Sequence, residues 1–215
     1  MIKMAAFDFD GTIGDTMELC VDTFRQVLEQ HLNRTVCYDE IAATFGRNEQ
    51  GMLMQLAGER WPQAYAELLD VYRRNLTRCS RPFPGIPELI AGLQRKNVLT
   101  ALITGKGCDT CSITLEQYGM TGTFCAVETG RTDRADKPSA MKRLMDSYGL
   151  HPDEFVYIGD TVYDADSAHE AGCICLSAAY GSAADTAALE RVNHGKVFTT
   201  VEALQAYFDG ALFRT

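Results

Sequence analysis

The sequence predicts an α/β protein: a doubly wound parallel sheet, Rossmann-like in its core, with an all-helical subdomain inserted after the first strand. Three observations carry that expectation. From residue 87 onward short apolar runs alternate with helical periods, as in a parallel sheet covered on both faces. Between residues 15 and 80 the apolar spacing is helical throughout, with no strand signal. The helical stretch then closes at RPFPGIP, residues 81–87, where three prolines and a glycine end a helix and stiffen the return path. The chain is thereby expected to divide into an α/β core of residues 1–14 and 81–215 and a helical cap of residues 15–80.

The elements follow in order. Met4 to Phe7 is an apolar opening strand. Met17, Val21, Phe24, Leu28 and Leu32 recur at three and four and predict a helix from Asp15 to Leu32, with Asp15 and Glu18 as a capping box. Shorter helices are expected over Asp39–Phe45, ended by Gly46, over Glu49–Ala57, ended by Gly58, and over Gln63–Cys79. Beyond the prolines, helix 87–96 leads to strand 98–103, helix 108–118 to strand 124–127, and helix 138–148 to strand 155–158. Helix 163–171 then leads to strand 173–176, and a weak strand near Val197 precedes helix 201–208.

A chain of 215 residues suffices for one full core and an inserted subdomain. The formal charge of −9 argues against a nucleic acid polymer as partner, since phosphate backbones are bound by basic surfaces; it does not exclude a small phosphate held locally. No run approaches the ~18 apolar residues of a membrane span, and Asp8 interrupts the first apolar run too early for a signal peptide. A cytoplasmic location, away from membranes and with reduced thiols, is the expectation. Among the eight cysteines, Cys108 with Cys111 and Cys173 with Cys175 resemble halves of a zinc site. Cys173 and Cys175 sit two apart in an apolar strand, however, and read better as core packing; a redox role for Cys108 and Cys111 lacks the flanking pattern.

In a doubly wound sheet, ligands bind beyond the carboxyl ends of the strands. There the sequence puts Asp8 and Asp10 after the first strand, Thr104-Gly105-Lys106 after the second, Lys137 in the polar loop after the third, and Gly159-Asp160 with Asp164 after the fourth. Clustered carboxylates repel and persist where a cation holds them, and oxygen ligands beside a substrate phosphate suit magnesium. Asp8 then serves as a nucleophile toward phosphorus, and Asp10 gives a proton to the leaving oxygen and later takes one from water. Thr104 and the Gly105 amide can hydrogen-bond the transferring group, and Lys137 can offset its charge. Taken singly, each of these is an ordinary turn or surface residue; co-occurrence in order makes them a site. On the cap, Arg47 after Gly46 is a candidate to grip the far end of a substrate. His31, His151, His169 and His194 fall outside the motifs.

These motifs, Asp8-Phe-Asp10-Gly-Thr-Ile-Gly-Asp15, Thr104, Lys137-Pro138 and Gly159-Asp160-Thr-Val-Tyr-Asp164, resemble those of the haloacid dehalogenase superfamily of phosphotransferases, in order and spacing from residue 4 to about residue 176. The resemblance implies Asp8 as nucleophile, Asp10 as acid and base that also binds metal through its backbone carbonyl, Asp160 as a magnesium ligand and Asp164 as support for the metal's waters. It also implies a helical cap where residues 15–80 fall. Many such phosphatases read Thr-Asn where this chain has Thr104-Gly105, so one side-chain contact is missing. Asp10 is absent from the dehalogenating members, so its presence points to phosphate chemistry. Within the superfamily the chain looks most similar to phosphoglycolate phosphatase-like enzymes acting on a small phosphorylated metabolite. The alternatives are a pyrophosphatase or nucleotidase, a mutase similar to β-phosphoglucomutase, or a non-catalytic descendant, which the intact acids disfavour.

Overall fold

A computed structural model describes residues 1–212. Six strands form one sheet: β1 (Met4–Phe7), β2 (Leu99–Ile103), β3 (Ala126–Glu128), β4 (Phe155–Gly159), β5 (Ile174–Ala178) and β6 (Val197–Phe198). Their order is β3-β2-β1-β4-β5-β6, with every pairing parallel. The chain steps outward from β1 first to one side and then to the other, so the order reverses at β1 and a crevice opens beyond the β1 and β4 ends. Phe7 pairs with Leu102 on one side and Ile158 on the other, which brings the three central strands to a common finish.

Alternation along each strand divides the apolar side chains between two cores. Ala5, Phe7, Leu102, Val156 and Ile158 join helices α5 (Ile86–Arg95), α6 (Cys108–Gln117) and α10 (Val201–Leu212) on one face. Met4, Ala6, Ala101, Phe155 and Tyr157 join α7 (Lys137–Tyr148) and α8 (Val162–Ala171) on the other. Cys173 and Cys175 lie buried in this second core while Cys111 lies in the first, so the sheet separates the cysteines that a zinc site would need together.

Between β1 and α5 the chain forms α1 (Met17–Leu32), α2 (Tyr38–Ala42), α3 (Glu49–Ala57) and α4 (Trp61–Asn75), which bury an apolar cluster of their own around Val27, Leu28, Ile41, Leu53 and Leu68. Several boundaries differ from expectation for local reasons. The first helix starts at Met17, because Asp15 accepts a hydrogen bond from the Ser182 hydroxyl at 2.8 Å instead of capping its own helix. Pro62 occupies the first turn of α4, and a 3-10 turn, Leu76–Cys79, finishes what was expected as continuous α-helix. The third strand is Ala126–Glu128, starting two residues and ending one residue later than expected, and Lys137 is the first residue of α7 rather than part of the preceding loop. Helix α9 (Thr186–Val192), capped by Asp185 accepting from the Ala188 amide, was not expected. Among the described residues no helix is long and apolar enough to cross a membrane.

Candidate active site

The loop after β1 is built on one carbonyl: Phe9 O accepts from the amides of Thr12, Ile13 and Gly14. This tight turn holds Asp8 and Asp10 at the strand tip. Gly11 adopts φ +79, and a Cβ there would lie 2.1 Å from Asp160 Oδ2, so the β4 loop can close on the β1 loop only across a bare backbone.

Asp8 is buried, and its Oδ2 accepts from Lys137 Nζ at 2.7 Å. Its Oδ1 is buried too and finds no hydrogen-bond partner among the described residues. Lys137 Nζ also donates to Asp164 Oδ1 at 2.6 Å. The other Asp164 oxygen accepts from the Thr161 hydroxyl at 2.6 Å and amide at 3.0 Å, and the Tyr157 hydroxyl lies 3.1 Å from Asp164 Oδ1. Asp164 is thus fully engaged in fixing Lys137 and the start of α8. Asp160, equally buried, has one longer contact, from the Thr12 hydroxyl at 3.3 Å.

Carboxylate oxygens of Asp8, Asp160 and Asp164 all lie within 4.8 Å of one another. Three buried acids face a single lysine, an arrangement that needs further positive charge. Burial, offset in part by Lys137 and reinforced by Asp164, raises the Asp8 carboxyl to about 6. Burial and the same acidic neighbours push Asp160 well above the usual carboxylate range. Burial works against Asp164 as well, but Lys137 and the Thr161 bonds outweigh it and hold that carboxyl low. Lys137 stays charged: burial opposes its ammonium, and Asp164 and Asp8 more than compensate. The unbonded Asp8 Oδ1, the lightly bonded Asp160 and the all-oxygen donor set fit a hard divalent cation.

Asp10 lines the same cavity as Asp8 but has different partners. Its carboxylate accepts from Lys106 Nζ at 2.9 Å and from the Thr16 hydroxyl, and the Cys20 thiol lies 3.6 Å away. Lys106 is almost fully buried, sits 4.8 Å over the Tyr72 ring and also contacts Cys20. Each aspartate of the first loop therefore has its own lysine. Thr104 is buried at the β2 end, its hydroxyl accepting from the Lys106 amide at 3.2 Å. At Gly105 a Cβ would meet nothing within 4 Å, so neighbouring atoms do not impose the glycine here.

The helical block closes over this floor through Asn48 and Glu49. Glu49 Oε2 accepts from the Gly107 amide at 2.6 Å and its Oε1 from the Thr110 hydroxyl, at the start of α6. Asn48 donates from its side chain to Gly130 O at 3.0 Å and from its amide to Arg131 O at 2.8 Å. A cavity of about 530 Å³ remains between floor and helices, lined by Asp8, Asp10, Thr104, Gly105 and Lys137 below and reached by Arg47 from above. Arg47 donates to Gln55 at 3.2 Å and stands apart from the acid cluster. The sequence placed Lys106 and Thr161 in the motifs without giving either a role, and Asn48 and Glu49 were missed. Lys106 was signalled only by its place after Thr104-Gly105, and Thr161 by its place between Asp160 and Asp164; nothing local marks Asn48 or Glu49.

The fold and site define a class: a parallel α/β hydrolase with an acidic centre at the switch point of its sheet. A family model for haloacid dehalogenase-like hydrolases matches residues 5–178, and the chain belongs to that family of enzymes. It is 27% identical over 188 residues to a phosphoglycolate phosphatase of Agrobacterium fabrum, covering 83% of this chain and 81% of that one. A phosphoglycolate phosphatase of Chromobacterium violaceum is 26% identical over 194 residues, covering 85% and 87%. In fold the chain is similar to a predicted phosphoglycolate phosphatase of Haemophilus somnus (TM-score 0.79, 20% identity, 96% and 98% covered) and a hydrolase of Pseudomonas syringae (0.78, 21%, 97% and 98%).

Proposed function

We propose that this enzyme is a magnesium-dependent phosphatase that hydrolyses a small phosphate monoester through an aspartyl-phosphate on Asp8. The observation that carries the reading is the Asp8 carboxylate, held at one oxygen by Lys137 and unbonded at the other, at the floor of a cavity large enough for an ester. An Asp8 oxygen forms a bond to phosphorus while the bond from phosphorus to the leaving oxygen breaks, and Asp10 gives that oxygen a proton. Water then attacks the same phosphorus, returns a proton to Asp10 and frees Asp8 and inorganic phosphate. Lys106 and Thr16 aim Asp10; Thr104, the Gly105 amide and Lys137 hold the phosphoryl oxygens. Asp8, Asp160 and the Asp10 carbonyl would hold the magnesium, with Asp164 behind them, and the ion would supply charge neutralisation at the phosphoryl group.

In this reading residues 15–80 are a cap that excludes water from the reacting phosphorus, over a core of residues 1–14 and 81–215. The relatives' names point to a small phosphorylated metabolite as substrate, and the net charge of −9 argues against a nucleic acid polymer. A cytoplasmic enzyme is the matching expectation. The test is release of p-nitrophenol from p-nitrophenyl phosphate with magnesium, with EDTA and Asp8→Asn as controls. Undiminished hydrolysis by Asp8→Asn would rule out the covalent route. Conversion of glucose 1-phosphate to glucose 6-phosphate, without free phosphate, would identify a mutase instead.

A further inference from the structure

The cavity has two unlike halves. Its floor is polar and comes from the strand ends, but five side chains that the helical block adds are apolar: Met17, Val21, Phe24, Phe45 and Met52. Phe24 and Met52 are buried, and Phe45 is 42% exposed at the rim, edge-on to the half-exposed Tyr38 ring at 6.4 Å. An ester whose phosphorus reaches Asp8 shares the cavity with this wall.

Charge is scarce there. Arg47 is the single cation among the described lining residues of the helical side, and the acid beside it, Glu49, is committed to Gly107 and Thr110. Lys106 and Lys137 already hold carboxylates. A second carboxylate on the substrate would find only Arg47 as a cation on this side and would otherwise lie against carbon, with Glu49 in the same lining. An apolar leaving group would exchange water for carbon along the whole wall. The volume agrees: about 530 Å³ lies in the ~300–1,000 Å³ range of sites for drug-sized ligands and exceeds what a two-carbon acid fills. Bare Gly105 adds room on the floor side.

From this wall we infer that the preferred substrate is a phosphate monoester whose leaving alcohol is uncharged and mainly apolar, rather than the carboxylate-bearing ester that the relatives' names suggest. The inference rests on the phosphatase reading above and refines its substrate. Ethyl, butyl and hexyl phosphate test it, because their leaving groups are chemically alike and differ only in apolar length. kcat/KM rises at least tenfold from ethyl to hexyl phosphate, chiefly through KM, and 2-phosphoglycolate is used less well than hexyl phosphate. Phe45→Ala, at a half-exposed site outside the apolar cluster, reduces the hexyl-to-ethyl ratio severalfold. A flat series would overturn the inference. So would a preference for 2-phosphoglycolate that Arg47→Gln abolishes. If the wild-type enzyme with magnesium hydrolyses no ester, p-nitrophenyl phosphate included, the phosphatase reading itself fails and the inference falls with it.

Discussion

Lys137 Nζ sits 2.7 Å from Asp8 Oδ2, while Asp8 Oδ1, just as buried, meets no donor. One carboxylate is thus clamped along one edge and unpartnered along the other. The clamp fixes the orientation of the carboxylate, and under the proposed mechanism the unpartnered oxygen is the one that meets the cation.

The first prediction concerns pH. The folded state raises Asp8 from 3.8 to about 6, so it binds a proton that the unfolded chain has already released. Between those values stability falls as pH rises: the favourable contribution is complete below 3.8 and lost above 6. Asp8→Asn imitates the protonated form. In EDTA it should be more stable than wild type at pH 7, by up to ~3 kcal/mol, with the gap closing toward pH 4. Urea unfolding at several pH values measures it; a gap that does not change with pH would contradict the assignment.

Lys137 sits between two buried acids, so its removal strands both. Lys137→Ala should cost ~3–5 kcal/mol and lower Tm by roughly 10 °C in EDTA. Added magnesium should recover part of the loss, because it supplies the missing positive charge. Thermal denaturation with and without the ion checks this, and equal Tm values for variant and wild type would refute it.

Gly11 permits the approach of Asp160. Any side chain there is strained by φ +79 and would drive Asp160 Oδ2 from its place 2.1 Å from the new Cβ. Gly11→Ala should weaken magnesium binding by at least ~10-fold, read by titration calorimetry. Retention of wild-type affinity would show that Asp160 does not need this position.

Glu49 closes the helices onto the sheet domain. Glu49→Ala leaves the Gly107 amide and Thr110 hydroxyl without their acceptor, a loss of ~1–3 kcal/mol. Gly107→Ala should act alike, since its Cβ would lie 2.5 Å from Glu49 Oε2 while its own backbone stays unstrained. Both should speed amide exchange at the start of α6 by ~10-fold or more and raise KM. Unchanged exchange in both variants would mean that the closed arrangement is held elsewhere.

The fold was legible because its signals are local. Apolar runs of four or five residues alternating with helical periods require a parallel sheet, and the place of Asp8, Thr104 and Asp160 at strand ends follows from reading where each run stops. Helix α9 escaped because its signal is only seven residues, about two turns, capped by Asp185. The start of α1 was misplaced because Asp15 has a partner 167 residues away.

By itself, the sequence determined the layered α/β architecture, the helical insertion and the kinds of group gathered at one sheet edge, since periodicity and strand-end chemistry are properties of neighbours in the chain. Only the tertiary structure decided which lysine serves which acid, that Glu49 bridges the helices to α6, and that the wall above the acids is apolar. Those outcomes depend on strand order and on how helices dock, which join residues 27 to 129 positions apart and leave no mark on the local pattern.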